Sequence, residues 1–311
     1  MTMCSEAKES RIDFSEKQGH ALFRSADSLD MNQDQVQVPR SVDTLLWEAD
    51  EYLEDIMQHL AHMENVTLPS VPMIEMQIQI TWQLRSSLID FVVRSHQYFR
   101  LPSQVLFLSV NLIDRYCSRK QIGQEYYLLL GSAALWIASK YGDKAYQVKS
   151  FKYPSAKEIS ELCGGIFDEH MITQMERSIL CTLDWVLGHP TTDHGIKLLL
   201  VGESGNKELA SMAAFLSEVS VYHREFVGVK PSVIAESCCM LARIILYGSV
   251  SIGASTEAVV TETLNSLWKH VRQPPPAIAG KYSKQSRHYV AQRAFCCSAS
   301  STWREMRDGH A

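Results

Sequence analysis

Four charged residues stand in otherwise apolar stretches of this chain: Arg85, Asp114, Lys140 and Glu176. A charge beside a core must be paired or must reach a partner. Two internal ion pairs or snorkelling side chains would satisfy that demand. So would an arrangement in which one pair locks the fold and the other is offered to another protein. Catalytic constellations are missing from the sequence. It holds no glycine-rich phosphate loop, no H-E-x-x-H and no G-x-S-x-G elbow. His59 and His62 are separated by Leu60-Ala61 and flanked by Met57 and Met63, which reads as surface or boundary histidines. No metal and no cofactor is expected. Cys163-Gly164-Gly165 reads as a helix end rather than a nucleophile, because nothing marks a partner histidine. The chain is therefore read as a non-enzyme.

The elements that carry these residues are helical throughout. Residues 1–41 are polar and mixed in charge, and are expected to form a flexible arm. A leader helix is predicted over 42–68, with Leu45, Leu46, Ala49, Leu53, Ile56, Leu60 and Met63 at helical spacing. A first bundle is predicted over 69–188. Its helices run about 77–98, from Pro102 to about 117, 124–141, 155–163 and 168–183, with a polar loop at 142–154. The helix at 124–141 is apolar nearly all round and rich in small residues (Gly131, Ser132, Ala133, Ala134, Ala138), which marks a buried central helix. A second bundle is predicted over 189–272, with helices at 206–226 and from Pro231 to Tyr247. It repeats the plan of an amphipathic helix followed by a buried small-residue helix. This second bundle looks one helix short, as if truncated. From 273 onward the chain turns polar and basic, and 273–311 is expected to be a disordered tail. The fold class is all-α.

Of the chain's 311 residues, 46% are hydrophobic and 21% charged, as in ordinary folded proteins. The eight cysteines form no C-x-x-C pair and sit mostly in apolar stretches, as reduced, buried thiols do. No apolar run is long enough for a membrane span, and no secretory leader is visible at the start. A nuclear and cytoplasmic protein is expected. The net charge of -5 disfavours nucleic acid as a partner.

Four motifs in order then carry a resemblance. LRSSLIDFV (84–92), NLIDRY (111–116), LLLGSAALWIASKY (128–141) and MERSIL (175–180) are similar to successive helices of the cyclin box. YLEDIMQHLAHME (52–64) resembles the helix preceding the box, and KPSVIAESCCMLAR (230–243) the family's second cyclin fold. CGGIFDEHMITQMERSILCTLDW (163–185) resembles the fungal Cln-type cyclins that act at Start.

The resemblance implies a regulatory subunit that binds a cyclin-dependent protein kinase and holds its αC helix in the active position. Arg85 and Asp114 would be a structural ion pair, with Leu129 a core residue beside it. Lys140 and Glu176 would hydrogen-bond kinase backbone, and Ile56, Ile137, Tyr141, Leu180, Trp185 and Leu187 would make the apolar contact. Leu84, Leu88 and Phe91 fall at positions of a surface patch that docks motifs of substrates or inhibitors. Ser87 and Arg94 depart from the family pattern there, so Arg-x-Leu motifs are not expected to bind. Two alternatives stay open: a cyclin-fold transcription factor gripping DNA, and a decoy that binds a kinase without activating it.

Overall fold

The computed structural model describes residues 53–146, 153–203, 205–248 and 258–300. The arm over 1–41, the start of the leader helix and residues 301–311 lie outside them. Among the described residues there are thirteen α-helices, four short 3-10 turns and no strand.

Helix α1 (Leu53–Val66) is the leader. The first bundle follows: α2 (Val71–Glu75), α3 (Trp82–Tyr98), α4 (Ser103–Arg119), α5 (Tyr127–Tyr146), α6 (Ala156–Leu162) and α7 (Glu169–Thr182). The second comprises α8 (Thr192–Leu199), α9 (Lys207–Ser220), α10 (Pro231–Tyr247), α11 (Ala258–Val271), α12 (Pro276–Tyr282) and α13 (Val290–Ser300). Each bundle wraps around one central helix. α5 is packed by α3, α4, α6 and α7, and α10 by α8, α9, α11 and α13. These are the two small-residue helices read from the sequence, and small side chains are what let four neighbours approach one helix.

Local chemistry sets the helix boundaries. The side chains of Thr81, Asp168, Thr191 and Asn206 each accept a hydrogen bond from a first-turn backbone N–H, at the starts of α3, α7, α8 and α9. Ser155 and Glu158 form a reciprocal capping box on α6. Gly164 and Gly165, at φ +67° and +71°, end that helix in a backbone conformation that a Cβ would disfavour. Pro231 opens α10, whose exposed N-terminal donor is satisfied from afar: the buried Glu64 of α1 accepts from Ser232 N (2.5 Å) and Ser232 Oγ (2.8 Å).

The tail expectation is corrected. Residues 276–282 and 290–300 are helices of the second bundle, which is not one helix short. Ile278, Tyr282, Val290 and Ala294 are buried, at helical spacing. The basic residues between them suggested solvent, but Lys281 is drawn inward. Its Nζ bonds both carboxylate oxygens of the buried Glu218 (2.6 and 2.8 Å), and Tyr282 Oη donates to the same carboxylate (2.8 Å). The proline run does not break structure either, since Pro276 stands in the first turn of α12, where its missing N–H costs nothing. α8 was not foreseen. Its Gly195 lets it lie flat on α10, where an added Cβ would come within 2.8 Å of the Ala235 Cβ. Helix α3 begins at Trp82 rather than 77, and α5 continues past 141 to Tyr146.

Two histidines, His96 buried and His189 half-buried, make the fold acid-sensitive. His96, in the last turn of α3, donates from Nε2 to the Pro102 carbonyl (2.9 Å). Burial, with Lys281 adding, pulls its pKa down to about 4 against the opposing Pro102 bond, Glu218 and Asp193. His189 Nδ1 lies 2.7 Å from Thr67 Oγ1, which itself donates to Met63 O, so the imidazole is the donor. Burial and then Arg115 pull the pKa of His189 to about 3. A depressed histidine pKa favours the folded state above the unfolded value near 6.5. That contribution is lost as pH falls from 6.5 towards 4. Urea denaturation should show stability dropping by about 1 kcal/mol per histidine between pH 6.5 and 5.5. The slope should be shallower in His189→Asn.

Candidate functional site

Arg85 of α3 and Asp114 of α4 form a bidentate ion pair, Nε–Oδ1 and Nη2–Oδ2 both 2.7 Å, with Arg85 only 2% exposed. Burial pulls the guanidinium's pKa down, but the charge and hydrogen bonds of Asp114 more than offset this and raise it. Leu129 is buried in the same core. The third arm of Arg85 was not foreseen. Nη1 donates to Val221 O (3.0 Å) and Tyr222 O (3.4 Å), carbonyls of the loop after α9. The pair thus joins α3, α4 and the second bundle. On the same side, Arg224 pairs with Glu75 of α2 (2.6 Å), and Tyr222 Oη donates to Asp90 of α3 (3.2 Å).

Lys140 and Glu176 are also brought together, from α5 and α7, as an ion pair. Unlike the first pair, this one sits at the surface, with both side chains partly exposed. The Lys140 ammonium also lies over the Trp136 ring, 3.4 Å from its centroid. An ammonium has three donors and a carboxylate two oxygens, so the pairing leaves capacity on both for an incoming backbone. A partly exposed pair contributes little to stability. Its value lies in what it presents.

Three elements meet beside it. A methyl group added at Gly188 would lie 3.1 Å from the Tyr141 hydroxyl and 4.0 Å from Met63 Cε, which places α1, α5 and the segment after α7 together. That segment is held by Arg115, whose Nη2 donates to Val186 O (2.8 Å), and by His189 through Thr67. Burial lowers the pKa of Arg115 to about 10. Within the segment, Asp184 and Trp185 both adopt left-handed backbone, at φ +55° and +61°. For a residue as bulky as tryptophan this is a strained conformation. Arg119 holds the bend through Asp184 Oδ2 (2.8 Å) and Thr182 O (3.0 Å). The result is a tryptophan side chain thrust outward, 67% exposed. Tyr141 and Ile56 are exposed too, while Leu180 and Leu187 are half-buried against the core. In α1 every residue from Glu54 to His59 is exposed, including Ile56 and Met57. This apolar edge has no partner among the described residues.

Two expectations fail on burial. Ile137 is 2% exposed and packs inside the first bundle, so it offers no surface to a partner. Leu88 is also 2% exposed, directed at Gly131 of α5, which removes it from the docking patch. Leu84 and Phe91 are half-buried on α3. Arg94 is paired with Asp90 (2.6 Å), so its charge is partly neutralised.

Comparison with known proteins bears directly on this arrangement. The model of the cyclin N-terminal domain matches residues 55–188, and that of the cyclin C-terminal domain residues 196–295. The chain belongs to the cyclin family. The second match runs through α12 and most of α13, in agreement with their place in the second bundle. Among relatives, the G1/S-specific cyclin CCN1 of Candida albicans is 37% identical over 213 residues, 62% of this chain and 30% of the relative. The G1/S-specific cyclin CLN2 of the same species is 36% identical over 165 residues, 52% of this chain and 34% of the relative. The G2/mitotic-specific cyclin-B of Emericella nidulans is 30% identical over 198 residues, 64% of this chain and 40% of the relative. This cyclin thus matches about a third of the length of such relatives. A viral cyclin from herpesvirus saimiri shares the fold, with a TM-score of 0.53 at 18% identity over 79% of this chain and 100% of that one.

Proposed function

We propose that this cyclin is the regulatory subunit of a cyclin-dependent protein kinase, which it activates by holding the kinase αC helix inward. The observation that carries the reading is the surface ion pair Lys140–Glu176 together with the exposed apolar side chains of Trp185, Tyr141 and Ile56. A kinase needs its strand lysine paired with the αC glutamate before the phosphates of ATP are correctly held. A cyclin whose face fits only the αC-in state shifts the kinase to that state by differential affinity. The apolar residues supply burial, and Lys140 and Glu176 orient the contact through charge-assisted bonds to backbone. The cyclin itself makes and breaks no bond. The G1/S-specific names of several relatives support a role in entry to the cell cycle, and we place that role in nucleus and cytoplasm.

The test is co-expression with a cell-cycle cyclin-dependent kinase, purification by the kinase and assay of substrate phosphorylation. Wild type should co-purify with activity, and Lys140→Ala/Glu176→Ala should lose both while remaining folded. Binding without activity would mean a decoy. A folded wild type that binds no such kinase would overturn the reading and favour a DNA-gripping factor.

A further inference from the structure

We propose that His223, Glu225 and His270 form a binding site for one divalent cation of the zinc class. No spacing in the sequence marks it, because His270 lies 45 residues beyond Glu225. His223 follows α9, Glu225 belongs to the 3-10 turn Arg224–Phe226, and His270 stands in the last turn of α11. One donor atom from each lies within 4.8 Å of the others. His270 Nε2 is 3.0 Å from Glu225 Oε1, and the two imidazole rings stack with centroids 3.5 Å apart.

An unmet need marks the cluster. His223 Nε2 is buried with no hydrogen-bond partner, which a folded protein ordinarily avoids. Two imidazoles and a carboxylate, with one position left for water, suit zinc, whereas magnesium and calcium take oxygen donors. Phe226 presents itself edge-on to both rings (6.4 and 6.1 Å) and gives the site an apolar wall. Parallel rings cannot aim both lone pairs at one ion, so binding requires one imidazole to turn. Glu225 is exposed and can follow. Neutral His270 would keep its proton on Nδ1 once Nε2 coordinates.

The position gives the site a purpose. Val221 and Tyr222, which receive Arg85, and Arg224, which pairs with Glu75, lie in the same short segment. A cation held here would tie α11 to the loop that joins the two bundles. Cation binding at this site does not depend on kinase binding.

The test uses the full chain without a histidine tag. Titration with zinc chloride should give one equivalent bound, and melting temperature should rise with zinc but not with magnesium. Cobalt substitution should give visible bands of nitrogen and oxygen ligation without intense thiolate absorption. His223→Asn and His270→Ala should each weaken binding on the order of 100-fold. Should either fail to fold, the exposed Glu225→Gln should still weaken it about tenfold. Absence of binding at micromolar zinc, binding undiminished in the variants, or a thiolate spectrum pointing to a cysteine would each overturn the site.

Discussion

Arg85→Ala should destabilise the chain by about 3–5 kcal/mol, the range for breaking a buried pair and stranding its partner. Asp114 would be left buried with its charge uncompensated. The Val221 and Tyr222 carbonyls would lose their donor at the same time. Arg85→Lys should recover little, since a single ammonium cannot reproduce a fork that serves two carboxylate oxygens and a second chain segment. The informative variant is Arg85→Met/Asp114→Leu. Replacing a buried ion pair by apolar residues is often neutral. Here it should stay destabilised, because the inter-bundle carbonyls remain unpaired. Urea denaturation of the three variants decides the matter. Wild-type stability in the double apolar variant would mean that the third arm of Arg85 contributes nothing.

Trp185→Gly should separate folding from partner binding in opposite directions. The backbone at 185 is left-handed, which costs an L-residue roughly 1–2 kcal/mol and glycine far less. The indole is mostly in solvent, so its removal forfeits little packing. Stability should hold or rise by up to about 1 kcal/mol. On the proposed function, kinase affinity should fall by about 2 kcal/mol or more, the loss typical of a central tryptophan at an interface. That is roughly a thirtyfold weakening. Melting temperature and surface-plasmon affinity, measured on one preparation, provide both readings. A variant that binds as well as wild type would remove Trp185 from the contact.

Much of this architecture was legible in the residues. The small-residue runs of α5 and α10 announce themselves locally, because close packing depends on side-chain type, whereas the capping side chains at 81 and 191 went unread, and with them the start of α3 and the whole of α8. Lys140 and Glu176 stood out as charges in apolar stretches, but their role and that of Trp185 came from family resemblance, since nothing in helical spacing separates a surface offered to a partner from one offered to water. α12 and α13 were hidden by composition: prolines and basic residues read as solvent until Glu218 is seen waiting for Lys281. The reach of Arg85 to Val221 and Tyr222 left no trace at all, because a backbone carbonyl has no sequence signature. The His223–His270 stack was invisible for a related reason, being made by two elements far apart in the chain.

The cap that Glu64 places on Ser232 spans 168 positions of chain. Contacts within each bundle close far shorter loops, and the entropy of loop closure rises with length. Those local contacts can therefore form early, while α10 starts with its first turn unfinished. On loop entropy alone, the Glu64–Ser232 contact between the leader and α10 is expected to form after those within each bundle. In time rather than in space, the segment that carries Ile56 to the exposed edge is then expected to arrive late.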